Sequence, residues 1–361
     1  MWRFTVYCYL SAILSIRLSV SKILFFPVLI RTIYIRSSAS SILFIWAALE
    51  LNIISVLPLL RLENSVFRTE VRIKYFLVQA LGSSVLLLGA FLRQTSRPAL
   101  SLVELALVLK LGAGPLHLWL VRVMRLCTLE ILFLLSTFQK VIPLITMQAL
   151  GTRIISFRVA AISSIVAGWG VFNHRRLRAI LAYSSVFTVA WCIRRTGIIV
   201  WNWLVYLGVY TLSLVIFILH VRAIALTTIS HLQLASTRFS VRLSLFLILG
   251  TIGGLPPLSG FWIKVVILSS LFERGDFFLG IILLGRSIWI LYIYIRVRFL
   301  RVRLRQTSRV WGQRRRDRLF RVLVLGSLLP VFILISLFYT RGCKHIKFWF
   351  LRFQGNLSRV H

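Results

Sequence analysis

The chain has 361 residues, of which 59% are hydrophobic, and it carries 44 Lys or Arg against 8 Asp or Glu, for a formal net charge of +36. With a mean hydropathy of +0.89, a soluble fold is excluded, because a water-soluble domain has nowhere to bury so much apolar side chain. The basic excess does not indicate nucleic acid either. Lys and Arg stand mostly singly or in small clusters between apolar runs, where they anchor helix ends and snorkel to the interface. A subset of them suits an anionic lipid such as cardiolipin.

Apolar runs of the length that crosses a bilayer, roughly 20 residues, recur from end to end. Every backbone polar group must be satisfied inside lipid, so these runs are expected as helices. The fold class is all-α and polytopic. In chain order the expected spans are 4–30, 41–60, 73–92, 99–121, 129–150, 154–172, 177–193, 198–221, 241–271, 277–297 and 321–340, eleven in all. The N-terminal stretch, with Arg3, Arg17 and Lys22 among apolar residues, is read as the first span rather than as a targeting peptide.

Basic residues orient these spans. Two arginines follow each odd-numbered span: Arg31 and Arg36, Arg93 and Arg97, Arg153 and Arg158, Arg194 and Arg195, Arg274 and Arg286. The even loops hold more, above all 296–321, with eleven arginines around QTSRVWGQRRRDR. By the positive-inside rule the even loops and the N-terminus face the matrix or cytoplasm.

Two spans are interrupted. Span 4 reads LVLKLGAGPLHLWLV and span 9 reads LGTIGGLPPLSGFWIKVVIL. Proline removes a backbone donor and clashes with the preceding turn, so both helices should break there. A break at bilayer depth is tolerated where it is buried in protein or lines a polar cavity. Each broken helix is fourth in a set of five, which predicts two inverted repeats of broken-helix type. The chain then divides into 1–150, 151–300 and a remainder, 301–361, holding the Arg-rich loop, a last span and a tail. Two incidental proline kinks are the plainer explanation, but they leave unexplained a lysine near the break in both halves.

Seven of the 44 basic residues are lysines, and three of those, Lys110, Lys140 and Lys264, lie well inside expected spans. Arginine keeps its proton in proteins, whereas a lysine taken out of water can release one. Lysine at these places fits a proton relay better than a structural counter-charge. Among the acids only Glu50 sits near the middle of a span; Glu104 and Glu130 lie nearer span ends. A lone carboxylate in hydrocarbon is costly, so Glu50 should face the interior and pair with a cation, for which Lys110 is the choice. A buried ion pair that merely sets helix register is the alternative. His117 follows Lys110 by seven residues and either extends the relay or is a satisfied interior histidine. Gln139 and the Tyr183-Ser184-Ser185 cluster suit water, and His174, His220, His231, His345 and His361 receive no role.

No CxxC joins Cys8, Cys127, Cys192 and Cys343, no HxxxH or HExxH is present, and no phosphate loop or dinucleotide fingerprint occurs. The chemistry therefore rests on acids and bases within the membrane.

Five stretches together resemble one family: ALELNIISVLPLL (48–60), TEVRIKYFLVQALGSSVLLL (69–88), LKLGAGPLHLWL (109–120) with FQKVIPL (138–144), FNHRRLRAILAYSSVFTVAW (172–191) and GGLPPLSGFWIK (253–264). The family is subunit 2 of mitochondrial NADH dehydrogenase. This resemblance implies an antiporter-like, proton-translocating subunit of complex I in the mitochondrial inner membrane, next to other antiporter-like membrane-arm subunits. It implies no cofactor in this chain, with NADH, FMN, iron–sulfur clusters and ubiquinone used by the complex as a whole. Glu50 matches the family's glutamate paired with the broken-helix lysine, here Lys110; Lys140 matches the central relay lysine and Lys264 the distal one. Many relatives continue the HxW motif with Pro-Glu, whereas this chain reads LVRVM with Arg122 nearby, so no carboxylate is carried over there. A stand-alone cation/proton antiporter and a non-pumping membrane scaffold are the other readings.

Overall fold

The computed structural model describes residues 20–39, 41–60, 68–92, 99–150, 154–172, 174, 176–195, 200–223, 239–256, 258–273 and 275–299. Among these residues the chain is helical and holds no β-strand. The helices are α1 (Val20–Ser38), α2 (Ile42–Val56), α3 (Arg68–Leu92), α4 (Ala99–Leu111), α5 (Leu118–Leu126), α6 (Leu129–Ser136), α7 (Phe138–Leu150), α8 (Ile154–Phe172), α9 (Leu177–Arg195), α10 (Val200–Ala223), α11 (Phe239–Gly253), α12 (Ser259–Phe272) and α13 (Phe277–Phe299). Among the described residues six stretches are long and apolar enough to cross a membrane: Ile42–Leu59, Thr69–Leu92, Leu129–Leu150, Ile155–Phe172, Trp203–Val221 and Phe277–Tyr294. Large apolar side chains such as Phe44, Ile73, Phe91, Trp169 and Ile288 point outward. Water would make such a surface untenable; hydrocarbon suits it. The protein is a multi-pass membrane protein.

Expected spans 3, 6, 7, 8 and 10 meet α3, α8, α9, α10 and α13, within a few residues at each end. Spans 4 and 9 each fall into two helices, α4 with α5 and α11 with α12. Three readings change. The first described helix runs on to Ser38 because no Gly, Asn or Asp stops it after Leu29, so Arg31 and Arg36 are helical rather than loop residues. Arg158 and Arg286 likewise lie within α8 and α13. Span 5 is interrupted at Thr137, where the backbone turns to φ −119 and the hydroxyl donates back to the Phe133 carbonyl at 2.7 Å. Residues 4–19, span 11 and the loop 300–321 lie outside the described residues.

Two compact units are present. One takes the described residues up to Leu207 together with Gly275–Arg286; the other takes those of 208–274 and from Ser287 onward. In the first, α9 is buried on almost every side from Leu177 to Ile193, with α8, α5, α6 and α7 packed on it. Its Ser184, Ser185 and Thr188 hydroxyls return to carbonyls one turn back. That satisfies their donors while leaving oxygen lone pairs inside the core. In the second unit α11 packs on α12 across the second break.

Candidate functional site

The first break sets the site. α4 ends at Leu111, and Gly112 takes φ +63, the left-handed conformation that glycine tolerates best. The Gly112 N–H then bonds the Leu109 carbonyl at 3.1 Å and the Ala113 N–H bonds that of Val108 at 3.2 Å. Trp119 Nε1 donates to Leu109 O at 3.0 Å and Gln79 Nε2 to Lys110 O at 3.2 Å. Beyond the break, the Gly114 N–H reaches Ser163 Oγ at 2.9 Å. The groups that a mid-membrane break would leave bare are thus met by α3, α5 and α8.

Lys110 stands in the last turn of α4, where the helix dipole favours a cation. It is only 4% exposed. Its alkyl stem fills the notch at Gly82 of α3, where a Cβ would come within 2.7 Å of Lys110 Cγ. Its Nζ has no hydrogen-bond partner among the described residues. Glu50, half-buried on α2, acts on it electrostatically without a hydrogen bond. The two expected partners therefore share a field rather than a hydrogen bond.

Between this pair and Lys140 lies an amide clasp. Asn52, two residues after Glu50, donates from Nδ2 to Gln139 Oε1 at 3.0 Å, and Gln139 Nε2 returns a bond to Asn52 Oδ1 at 3.2 Å. The Tyr75 hydroxyl adds a third bond to Gln139 Oε1 at 3.3 Å. Gln139 faces α2 and α3, while its neighbour Lys140, 1% exposed, faces α9. Lys140 Nζ donates to Ser185 O at 2.5 Å and to Thr188 Oγ1 at 3.1 Å. Both residues lie in the first turn of α7, where consecutive side chains point to different faces and so serve two different neighbours.

In the second unit Gly254 takes φ +86 at the end of α11. Lys264, on α12 and 5% exposed, reaches back to the Gly253 carbonyl at 2.5 Å. A Cβ on Gly254 would stand 2.8 Å from Lys264 Nζ. The second break thus offers its carbonyl end to Lys264, whereas Lys110 belongs to the last turn of α4 itself. Lys110 lies before its break and Lys264 after its own.

Sequence reasoning missed several groups. Asn52, Tyr75 and Gln79 were passed over because single polar residues on apolar helices carry no spacing signal. Glu104 is buried, with a bond from the Ile155 backbone and Oε2 without a hydrogen-bond partner. Arg36 is 3% exposed, and its Nε and Nη2 have no hydrogen-bond partner among the described residues.

Buried lysines beside the breaks of discontinuous helices, in a multi-pass helical protein, are the arrangement that ion-translocating membrane proteins of broken-helix type carry. Residues 94–288 match the family described as NADH:quinone oxidoreductase/Mrp antiporter, TM, and the chain belongs to that family. Its relatives include NADH-ubiquinone oxidoreductase chain 2 of Ailurus fulgens, 32% identical over 71% of this chain and 78% of that one. The same chain of Locusta migratoria is 28% identical over 80% of this chain and 88% of that one. In fold, the protein is similar to a chain of respiratory complex I from Thermus thermophilus, with a TM-score of 0.73 at 20% identity, covering 89% of this chain and 79% of that one. A chain of the Mrp complex from a Dietzia species gives 0.69 at 17% identity, over 80% of this chain and 62% of that one.

Proposed function

We propose that the chain is the proton-translocating, antiporter-like chain 2 of NADH:ubiquinone oxidoreductase, with Glu50, Lys110, Lys140 and Lys264 as its relay. The observation that carries this reading is the burial of all three lysines, two of them at helix breaks and one between hydroxyl-bearing turns of α9. Such residues are costly in hydrocarbon and are tolerated where their charge is used. Proton gain or loss at Glu50 changes the field at Lys110 across a poorly screening interior. Loss of the Lys110 proton would then favour transfer toward Lys140 through the polar region around the clasp, and Lys264 is the corresponding group of the second unit. NADH oxidation and quinone reduction drive these moves; the redox groups belong to other subunits.

The finer architecture goes with this reading: eleven spans, inverted repeats in 1–150 and 151–300 followed by 301–361, and an N-terminus on the matrix side of the mitochondrial inner membrane. Membrane-arm subunits cover its flanks, and anionic lipid such as cardiolipin meets the interfacial arginines.

The test is proton pumping per NADH oxidised by the complex in proteoliposomes, with Lys110→Met and Lys110→Arg. Both variants should assemble and lose most of the pumping, because Arg restores charge but not proton release. Full stoichiometry in Lys110→Met would overturn the relay. Migration of the chain apart from any NADH-oxidising assembly on native gels would favour a stand-alone antiporter.

A further inference from the structure

At one end of the first unit three aromatic rings meet between the surface and the first break. His117, just beyond the first break, donates from Nδ1 to the Pro115 carbonyl at 3.0 Å. A carbonyl oxygen only accepts, so in the neutral ring Nδ1 carries the hydrogen and Nε2 is the acceptor. The His117 ring lies 6.1 Å from that of Tyr183, centroid to centroid, and Tyr183 stacks at 5.4 Å and 19° on His174. His117 and Tyr183 are buried, while His174, in the connection between α8 and α9, is half-exposed. The three rings therefore form a column from the surface to the break.

Its placement is enforced. A Cβ at Gly170 would come within 2.1 Å of Tyr183 Cε1, so only glycine lets the phenol lie flat against α8. The Val171 carbonyl accepts from the His174 N–H at 3.3 Å and ties the connection down. Arg125, in the last turn of α5, acts on both the His174 imidazole and the Tyr183 phenol. Among the described residues Arg125 of α5 is the cation whose field reaches His174, and Tyr183 of α9 is the titratable ring stacked on it; its neighbour Arg176 is exposed.

We propose that His174, Tyr183 and His117 form a proton-access column that carries protons between bulk water and the first helix break, with His174 as its outer port and Arg125 as the residue that tunes it. The inference rests on the relay reading. His174 takes a proton from water at one ring nitrogen and gives one inward, returning to neutral imidazole. The Tyr183 hydroxyl accepts and donates in turn, and His117 receives at Nε2. The ring centroids stand 5.4 and 6.1 Å apart, and water carries the step between their polar atoms. Partial burial and the Arg125 charge hold the His174 imidazole below its ordinary range, so at neutral pH it passes a proton on rather than storing it.

The experiment measures proton pumping against pH in proteoliposomes holding the whole complex, with His174→Gln, Tyr183→Phe and Arg125→Gln. Assembly is checked on native gels and Lys110→Met is run alongside. Tyr183→Phe keeps the ring and the stack but loses the hydroxyl, and pumping should fall several-fold. His174→Gln should lose activity most at alkaline pH, where protons are scarce, and added imidazole buffer should restore it. Arg125→Gln should move the pH profile to higher pH, since a cation beside the imidazole has been removed. Wild-type pH profiles in assembled His174→Gln and Tyr183→Phe would overturn the column. If Lys110→Met fails to pump while those two stay normal, the column falls and the relay stands. If Lys110→Met pumps fully, the relay itself falls.

Discussion

Replacing Gln139 by Leu tests the clasp between the two charge centres most directly. The change removes three hydrogen bonds: the reciprocal pair with Asn52 and the bond from Tyr75. Hydrogen bonds between membrane helices average about 0.6 kcal/mol by double-mutant cycle, so the three together are worth about 2 kcal/mol. Asn52→Leu removes two of them, about 1.2 kcal/mol on the same scale. The double variant loses no further bond, and its cost should equal that of Gln139→Leu alone. The coupling between the positions is therefore about 1 kcal/mol. The assay is the midpoint of thermal inactivation of the purified complex for wild type, both single variants and the double. Stripped polar groups cost more in a site they cannot leave, so a larger effect of each single variant is compatible with the clasp. Additive costs in the double variant would refute it, because independent residues add and bonded ones do not.

Gly254→Ala should force an L side chain into the left-handed region, at roughly 1–2 kcal/mol, and push Lys264 from the Gly253 carbonyl. Assembly should persist while pumping per NADH falls. Trp119→Phe keeps the ring but leaves the Leu109 carbonyl without its indole donor, which should lower the thermal inactivation midpoint by a cost of about 1 kcal/mol. His174 also predicts a pH dependence of stability. Its folded-state pKa is lowered by burial and then by Arg125, so the unfolded chain binds more protons as pH falls below the ordinary histidine value, about 6.5. Stability should be full above that pH and decline below it, and His174→Gln should flatten that part of the curve in inactivation measured against pH.

The class of the protein was legible in its residues alone. Apolar runs that long can only be helices in lipid, and the Gly-Pro clusters at 112–115 and 253–260 can only interrupt them. The choice of lysine at 110, 140 and 264 in an arginine-rich chain was equally legible, because proton release is a property of the side chain itself. What those residues touch depends on how the helices pack. No pattern announced that Gln139 would meet Asn52 and Tyr75 while Lys140 met Ser185 and Thr188, since that depends on which helices pack on each face of α7. Glu50 and Lys110 were expected to pair, whereas the field of Glu50 on Lys110 without a hydrogen bond depends on the packing of α2 and α4 and on the notch at Gly82. Arg36 read as an interfacial anchor because its burial depends on neighbours distant in sequence. His174 had no sequence signal: its place beside Tyr183 and Arg125 exists only once α5, α8 and α9 are packed together. Local chemistry is written residue by residue, whereas a site made across helices is a property of their contacts.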